Sequence, residues 1–254
     1  ANDVNGHGTH VAGTIAEATN NKISLAGLAY GAKIMPVRVL DRNGEGNASD
    51  IAEGVRFATK KGAKLINLSL EFDQGVRAVD IPQLLNAIKY ARSRGVLVIG
   101  ASGNEGEQSI SYPAKAPGVM SVGATTETGC VADFSNGGYG LDIVAPGGGT
   151  NSTATGESRC RSGSGRARNI AQVTFRGKSV SVFGVPGDYE GTSMATPHVT
   201  AAAALVIATR VIGSNPSPGR LESRLMSTAR DFGTPGVDSF YGAGLLNAAA
   251  ASSK

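Results

Sequence analysis

The stretch IPQLLNAIKYARSRGVLVIGA, residues 81–101, decides the fold class of this chain. Its first part carries apolar residues at helical spacing, namely Ile81, Leu84, Leu85, Ile88 and Ala91. Gly95 follows as a C-cap signal, and Val96–Ala101 is then apolar at every position. A helix that leads directly into a strand buried on both faces is the repeating unit of an α/β protein.

The same alternation continues on both sides of this stretch. Further apolar, β-rich runs predict strands at Ile34–Leu40, Leu65–Leu70, Val119–Ala124 and Leu141–Val144. Helices are expected at residues 7–19, from a cap at Ser49 or Asp50 to Lys61, and at 191–211, 216–229 and 244–251. The sequence therefore predicts an α/β fold, a mostly parallel central sheet with helices on both faces.

The bulk composition fits one folded unit. The chain has 254 residues, of which 41% are hydrophobic and 17% charged, so a sizeable core is available. We expect a single domain over residues 1–254. Residues 149–180 are rich in Gly, Ser, Thr and Arg and are expected to form a surface insertion within it.

Charge and hydropathy argue against two partner classes. The net charge is +4, and the one dense basic cluster comprises Arg159, Arg161, Arg166, Arg168, Arg176 and Lys178. That cluster lies in a Gly/Ser-rich stretch with a single Phe, so we expect a solvated basic loop and no nucleic-acid partner. No apolar run reaches 18 residues, so no membrane span is expected.

The two cysteines, Cys130 and Cys160, bear on the compartment. A disulfide between them would indicate a secreted or extracytoplasmic protein. Two unrelated free thiols are the alternative. No Cys-x-x-Cys pair is present, which disfavours zinc and thioredoxin-type sites.

A parallel sheet places its ligands beyond the carboxyl ends of its strands, so the loops after Leu40, Leu70 and Ala101 form the candidate site. Three segments carry chemistry: NGHGTHVAG at 5–13, ASGNEG at 101–106 and GTSMATPHV at 191–199.

Ser193 begins an Ala-rich helix, where a backbone N–H and the helix dipole can stabilise an oxyanion. A plain N-cap is the alternative for Ser193. Pro197 is expected within the first turn.

The other two segments supply complementary groups. His7 is a suitable general base for a serine nucleophile. His7 and His10, three residues apart, would alternatively suggest a metal pair, although no Cys cluster supports it. Asn104 follows a strand within a turn, as a turn former or as an amide donor to an oxyanion.

Together these segments resemble the subtilisin family of serine proteases. The resemblance covers the chain except for the region around 149–180, and it implies a three-layer architecture. It implies that His7 is the general base, that Ser193 is the nucleophile and that Asn104 is the side-chain oxyanion donor. His10 and His198 are then structural. The expected reaction is peptide hydrolysis through an acyl-enzyme on Ser193.

The resemblance also implies a substrate cleft that binds an extended peptide between two backbone edges. The matching residues are Gly44, Glu45, Gly46, Ser69, Leu70 and Glu71, with Ala101, Ser102 and Gly103 lining the P1 pocket and Ser111 near its base. Relatives commonly carry Gly-Gly where this chain has Glu71-Phe72. Glu71 could favour a basic P1 residue or could be a solvated rim carboxylate.

Cofactor and assembly expectations follow from the same resemblance. No cofactor is required for the chemistry. Asn20, Asn21 and Lys22 to Leu28 resemble a loop that binds a structural calcium through backbone and side-chain oxygens. No acidic side chain lies between residues 18 and 28, so calcium is an open possibility and metal ligands are unassigned. We expect a monomer that acts on proteins or peptides.

One element of the family pattern has no counterpart here. The family places an Asp in an Asp-Thr/Ser-Gly context tens of residues before the His. Only six residues precede His7, and neither Asp3 nor Asp41 fits. The expectation is that the catalytic Asp lies upstream, that the domain is incomplete at its N-terminus and that a sheet edge is unpaired. The alternative function is an inactive fragment or a peptide-binding pseudoprotease.

Overall fold

The computed structural model describes residues 2–22, 25–153, 155–158, 160, 168–177 and 179–254. Helices within these ranges are α1 His7–Ala16, α2 Ala48–Lys60, α3 Pro82–Ser93, α4 Thr192–Thr209, α5 Pro218–Ser227 and α6 Ala248–Ser252. Strands are β1 Leu65–Leu68, β2 Leu97–Ala101, β3 Val119–Thr125, β4 Ile143–Pro146, β5 Thr174–Phe175 and β6 Phe183–Gly184.

Strands β1 to β4 form one parallel sheet in sequence order. Side chains alternate across it, so that Leu97 and Ile99 pack with α4, α5 and α6. Val98 faces the opposite side and packs with α2 and α3. The prediction of a mostly parallel sheet covered on both faces is confirmed, because strands buried on both sides require an apolar layer on each.

The strand expected at Ile34–Leu40 is not formed. The segment has no regular secondary structure and is largely exposed, and it has no strand partner among the described residues. Val37 and Val39 nevertheless pack against the cluster that includes α2. Within the described chain the outer edge of β1 also has no neighbouring strand. An apolar run provides the side chains of a strand, but a ladder of hydrogen bonds needs a second backbone.

Three helix predictions were wrong at their ends. Helix α1 stops at Ala16, because Glu17 turns to an extended conformation. The N-cap of α2 is Asn47, whose side chain accepts from the Asp50 N–H, and not Ser49 or Asp50. Helix α6 begins only at Ala248, since the residues before it bridge to β4.

The region predicted as a surface insertion contacts the start of α1. Strands β5 and β6 pair as a short antiparallel hairpin, and Thr174 Oγ1 donates to the Gly6 carbonyl. Cys130 and Cys160 form a disulfide, so the alternative of free thiols was wrong. Four members of the basic cluster lie outside the described residues, namely Arg159, Arg161, Arg166 and Lys178. No helix in the described chain is long and apolar enough to cross a bilayer.

Candidate active site

Ser193 is the second residue of α4, and its backbone is tied to the loop after β1. Its hydroxyl donates to the Ser69 carbonyl at 3.3 Å, and its own carbonyl accepts from Ser69 Oγ at 2.7 Å. Pro197 lies in the second turn of α4, not in the first as predicted. Because proline has no N–H, it cannot donate to the Ser193 carbonyl, and Ser69 takes that place.

Asn104 is anchored by its amide oxygen to the start of α4. Its Oδ1 accepts from the Thr192 N–H at 2.8 Å and from Thr192 Oγ1 at 3.1 Å. On the other side, Asn104 Nδ2 donates to Glu71 Oε1 at 2.8 Å. A primary amide has two N–H groups on Nδ2, so one of them stays available to a further acceptor. The side chain is therefore held in place before any substrate arrives.

His7 is the first residue of α1, and a carboxylate precedes it by one turn. Asp3 accepts from the N–H groups of Gly6 at 2.9 Å and of Thr9 at 2.8 Å, as a cap for the helix. Burial opposes ionisation of Asp3, but its hydrogen bonds with Gly6, Thr9 and Asn5 lower its pKa to about 2. Burial lowers the pKa of His7, and the charge on Asp3 acts in the opposite direction.

His7, Ser193 and Asn104 line one cleft of about 410 Å³. The cleft is completed by residues that sequence reasoning did not single out: Asp188, Tyr189, Glu190 and Met194. The sequence feature that could have identified them is their proximity to Ser193. The three predicted residues thus come together from α1, the loop after β2 and α4.

The other two histidines are held by backbone carbonyls. His10 stacks on the Tyr189 ring at 4.2 Å between centroids, and its Nε2 donates to the Ile170 carbonyl. Burial lowers the pKa of His10 to about 4. His198 Nδ1 donates to the Met194 carbonyl at 2.9 Å. In the described part of the chain, no three His, Cys, Asp or Glu residues are grouped as a metal site.

The predicted P1 strips lie beside Asn104. Ser111 N donates to the Ser102 carbonyl at 2.8 Å, which places Ser111 against the strip Ala101–Gly103. Gly103 has a φ of +118°, and a Cβ there would lie 2.0 Å from Asn136 Nδ2. Only glycine fits so close a contact. The strip Ser69–Glu71 contacts Asn104 through the side chain of Glu71.

The other predicted backbone edge, Gly44–Gly46, is part of a turn. Asp41 Oδ1 accepts from the Glu45 N–H at 3.0 Å. Asn5 Nδ2 donates to the Arg42 carbonyl and so joins this turn to the loop before His7. Glu45 and Gly46 line a second cavity of about 690 Å³ beside α2, not the cleft that contains Ser193.

The predicted calcium loop is only partly described. Asn20 and Lys22 both adopt positive φ angles, 59° and 61°, within a bend of the chain. Residues 23 and 24 lie outside the described residues. A ligand set built on backbone carbonyls of this loop is therefore not defined, and calcium stays a prediction.

Comparison with known proteins matches this chain to one family. The family model of the subtilase family matches residues 1–244. Subtilisin Savinase of Lederbergia lenta is 42% identical over 251 residues, which cover 98% of this chain and 78% of that protein. An alkaline protease of Alkalihalobacillus alcalophilus is also 42% identical, and the match covers 98% of this chain and 55% of that protein.

A solved structure agrees with these sequence matches. A protease from Pseudoalteromonas arctica PAMC 21717 superposes with a TM-score of 0.80 at 37% identity, over 97% of this chain and 70% of that one. The fold, the family model and these relatives define a serine endopeptidase of the α/β class, acting on protein or peptide substrates. The chain belongs to the subtilase family.

Proposed function

We propose that the chain carries the nucleophile, the general base and the oxyanion donor of peptide-bond hydrolysis. Ser193 Oγ attacks the carbonyl carbon of the scissile bond while His7 takes the hydroxyl proton. His7 then returns that proton to the leaving amine, and water hydrolyses the acyl-enzyme by the reverse proton path. The observation that carries the proposal is the shared cleft lined by His7, Ser193 and Asn104.

The state of His7 supports this assignment. Burial lowers its pKa, so the imidazole is neutral at pH 7 and can accept a proton. Ser193 has a rotatable hydroxyl whose bond to the Ser69 carbonyl is long, at 3.3 Å, so the hydroxyl can turn toward the base.

The fixed amide of Asn104 supports its role as oxyanion donor. A donor that is already oriented stabilises developing charge without reorganising during the reaction. The Ser193 N–H at the start of α4 supplies the second donor. We propose that the extended peptide substrate lies along Ser69–Glu71 and Ala101–Gly103, with Ser111 at the base of the P1 pocket. The opposite edge is Gly44–Gly46, which the turn at Asp41 holds near the His7 loop.

The domain organisation, the oligomeric state, the compartment and the cofactors are also proposals. We propose a secreted monomer formed by a single peptidase domain over residues 1–254, with residues 149–180 as a surface insertion. The disulfide Cys130–Cys160 supports an oxidising compartment. No cofactor takes part in the chemistry, and the loop from Asn20 to Leu28 holds a structural calcium.

A second candidate function has one observation in its favour. Among the described residues, no carboxylate hydrogen-bonds to the His7 ring, whereas the family mechanism orients its His with an Asp. In subtilisin, removal of that Asp costs about 3 × 10⁴ in kcat. The second candidate is therefore a subtilase fold that binds peptides without turning them over.

Labelling with a fluorophosphonate probe separates the two. The 254-residue chain is treated with the probe, and Ser193→Ala is the matched control. Labelling that is lost in the control shows that Ser193 is an activated nucleophile, and loss of labelling in His7→Ala assigns His7 as its base. Peptide binding without labelling establishes the second candidate instead.

A further inference from the structure

We propose that Glu71 makes this protein selective for a basic side chain, Lys or Arg, at the P1 position of its substrate. P1 is the residue whose carbonyl Ser193 attacks, so the inference rests on the proposed function. It adds a specificity-determining residue to that site.

Three segments joined by hydrogen bonds bound the proposed P1 pocket beside Asn104. Phe72 N donates to the Tyr112 carbonyl at 2.8 Å, and Ser111 N donates to the Ser102 carbonyl at 2.8 Å. The contact between Glu71 and Asn104 closes the ring at 2.8 Å. A side chain that leaves the scissile carbonyl toward this pocket therefore passes Glu71.

The carboxylate of the neighbouring residue Glu105 is already held by N–H donors. Glu105 Oε2 accepts from the Asn104 N–H at 3.1 Å, from Gln74 Nε2 at 3.3 Å and from Asn136 Nδ2. Gln74 Nε2 also donates to Ser111 Oγ at 3.0 Å. Gln74 and Glu105 are exposed, and these donors satisfy Glu105 Oε2 without a cation.

Glu71 is in the opposite situation. Its Oε1 bonds to Asn104, but its Oε2 is buried and has no hydrogen-bond partner among the described residues. The nearby charges that act on it, Glu105 and Asp73, are also negative. A buried carboxylate oxygen without a partner is unfavourable, and a cationic donor that reaches it gains a charge-assisted bond.

The selectivity follows as a difference between two substrates. A Lys or Arg at P1 supplies the donor that Glu71 Oε2 lacks, whereas an uncharged P1 side chain leaves that oxygen unpaired. The same cation neutralises the Glu71 carboxylate, which is hydrogen-bonded to the oxyanion donor Asn104. A basic P1 residue therefore favours both binding and the developing oxyanion.

The test uses the 254-residue chain with Ser193→Ala, which prevents turnover. Two hexapeptides are compared that differ only at P1, where one has Arg and the other its uncharged isostere citrulline. The Kd of each is measured by calorimetry at pH 8. We expect the Arg peptide to bind at least about tenfold more tightly, and Glu71→Gln to reduce that ratio to within about twofold.

The controls keep the result specific to Glu71. Asp73→Asn removes an exposed carboxylate two residues away and is expected to retain the preference for Arg. Glu71→Ala, which also removes the charge, is expected to lose the preference like Glu71→Gln. Thermal melts of each variant show whether it is folded.

Two results would overturn the inference: equal or unmeasurable binding of the Arg peptide to the Glu71 protein, or a preference for Arg that survives both Glu71 variants. Failure of the proposed function has a different signature, since it is read from fluorophosphonate labelling of Ser193. A preference for Arg that depends on Glu71 in a chain that is not labelled supports the inference and rejects the catalytic assignment.

Discussion

The hydroxyl of Ser69 donates a 2.7 Å hydrogen bond to the carbonyl of Ser193, in place of the helical bond that Pro197 cannot make. The contact joins the loop after β1 to the first turn of α4, across 124 positions of sequence. It therefore fixes the backbone of the proposed nucleophile against Ser69–Glu71, the proposed substrate-binding strip.

Ser69→Ala is expected to destabilise the fold, because it leaves the Ser193 carbonyl without its donor. The loss should be about 1–2 kcal/mol in the free energy of unfolding, measured by urea denaturation. Ser93→Ala is the matched control: it removes a 2.8 Å hydroxyl-to-carbonyl bond at an exposed site and should cost less. Equal losses in the two variants would contradict the role given to Ser69.

Asn104→Ala is expected to slow fluorophosphonate labelling of Ser193. The precedent is subtilisin, where removal of such a donor costs about 10²–10³ in kcat. The variant also removes the acceptor of the Thr192 N–H, so a modest loss of stability accompanies the slower reaction. Asn215→Ala, at an exposed site, should label at the rate of the unmodified chain. An unchanged rate in Asn104→Ala would exclude it as the oxyanion donor.

Asp3→Asn is expected to move the acidic limb of the pH–rate profile to lower pH. Burial already lowers the pKa of His7, and the charge on Asp3 opposes that effect. Removing the charge lets the pKa of His7 fall further, so the neutral base persists at lower pH. The profile of labelling rate against pH measures this shift.

The control for Asp3 is Asp50→Asn, which alters a carboxylate in the first turn of α2. Both changes affect the start of a helix, but only Asp3 lies beside His7. A shift of equal size in both variants would show that the effect comes from net charge and not from this contact.

Glu71→Gln is expected to stabilise the protein at neutral pH. Burial raises the pKa of Glu71 above its ordinary value of 4.5. The folded state therefore binds the proton more tightly than the unfolded state, and stability falls as pH rises from 4.5 through the folded pKa. Gln cannot ionise, so its advantage should be present at pH 7 and absent below pH 4.5.

Thermal melts across that pH range measure the effect of Glu71→Gln. Asp73→Asn removes an exposed carboxylate nearby and serves as the reference variant. If Glu71→Gln lowers stability at pH 7, the ionised carboxylate stabilises the fold, and the sign assigned to its burial is wrong.

Loss of the disulfide is expected to lower stability substantially. Cys130 and Cys160 are 30 residues apart, and closing a loop of that length contributes roughly 3–4 kcal/mol by the chain-entropy model. The double variant Cys130→Ser, Cys160→Ser should show this loss in denaturant titrations. A reducing agent should lower the stability of the unmodified chain and leave that of the double variant unchanged.

The sequence by itself determined the fold class and the three proposed site residues. Runs such as Val96–Ala101 are apolar at every position, and only a parallel sheet covered on both faces buries them fully. His7, Asn104 and Ser193 each sit in a long motif, and the ends of parallel strands meet at one edge of the sheet. The apolar runs and the motifs are both features of short stretches of sequence, so they can be recognised without a structure.

Only the tertiary structure decided which groups touch. The bond from Asn104 to Glu71 and the bond from Ser69 to Ser193 join residues 33 and 124 positions apart. The run Ile34–Leu40 is apolar yet forms no strand in the described chain. The physical reason is the same in each case: a hydrogen bond needs a partner, and its position is set by the packing of distant segments.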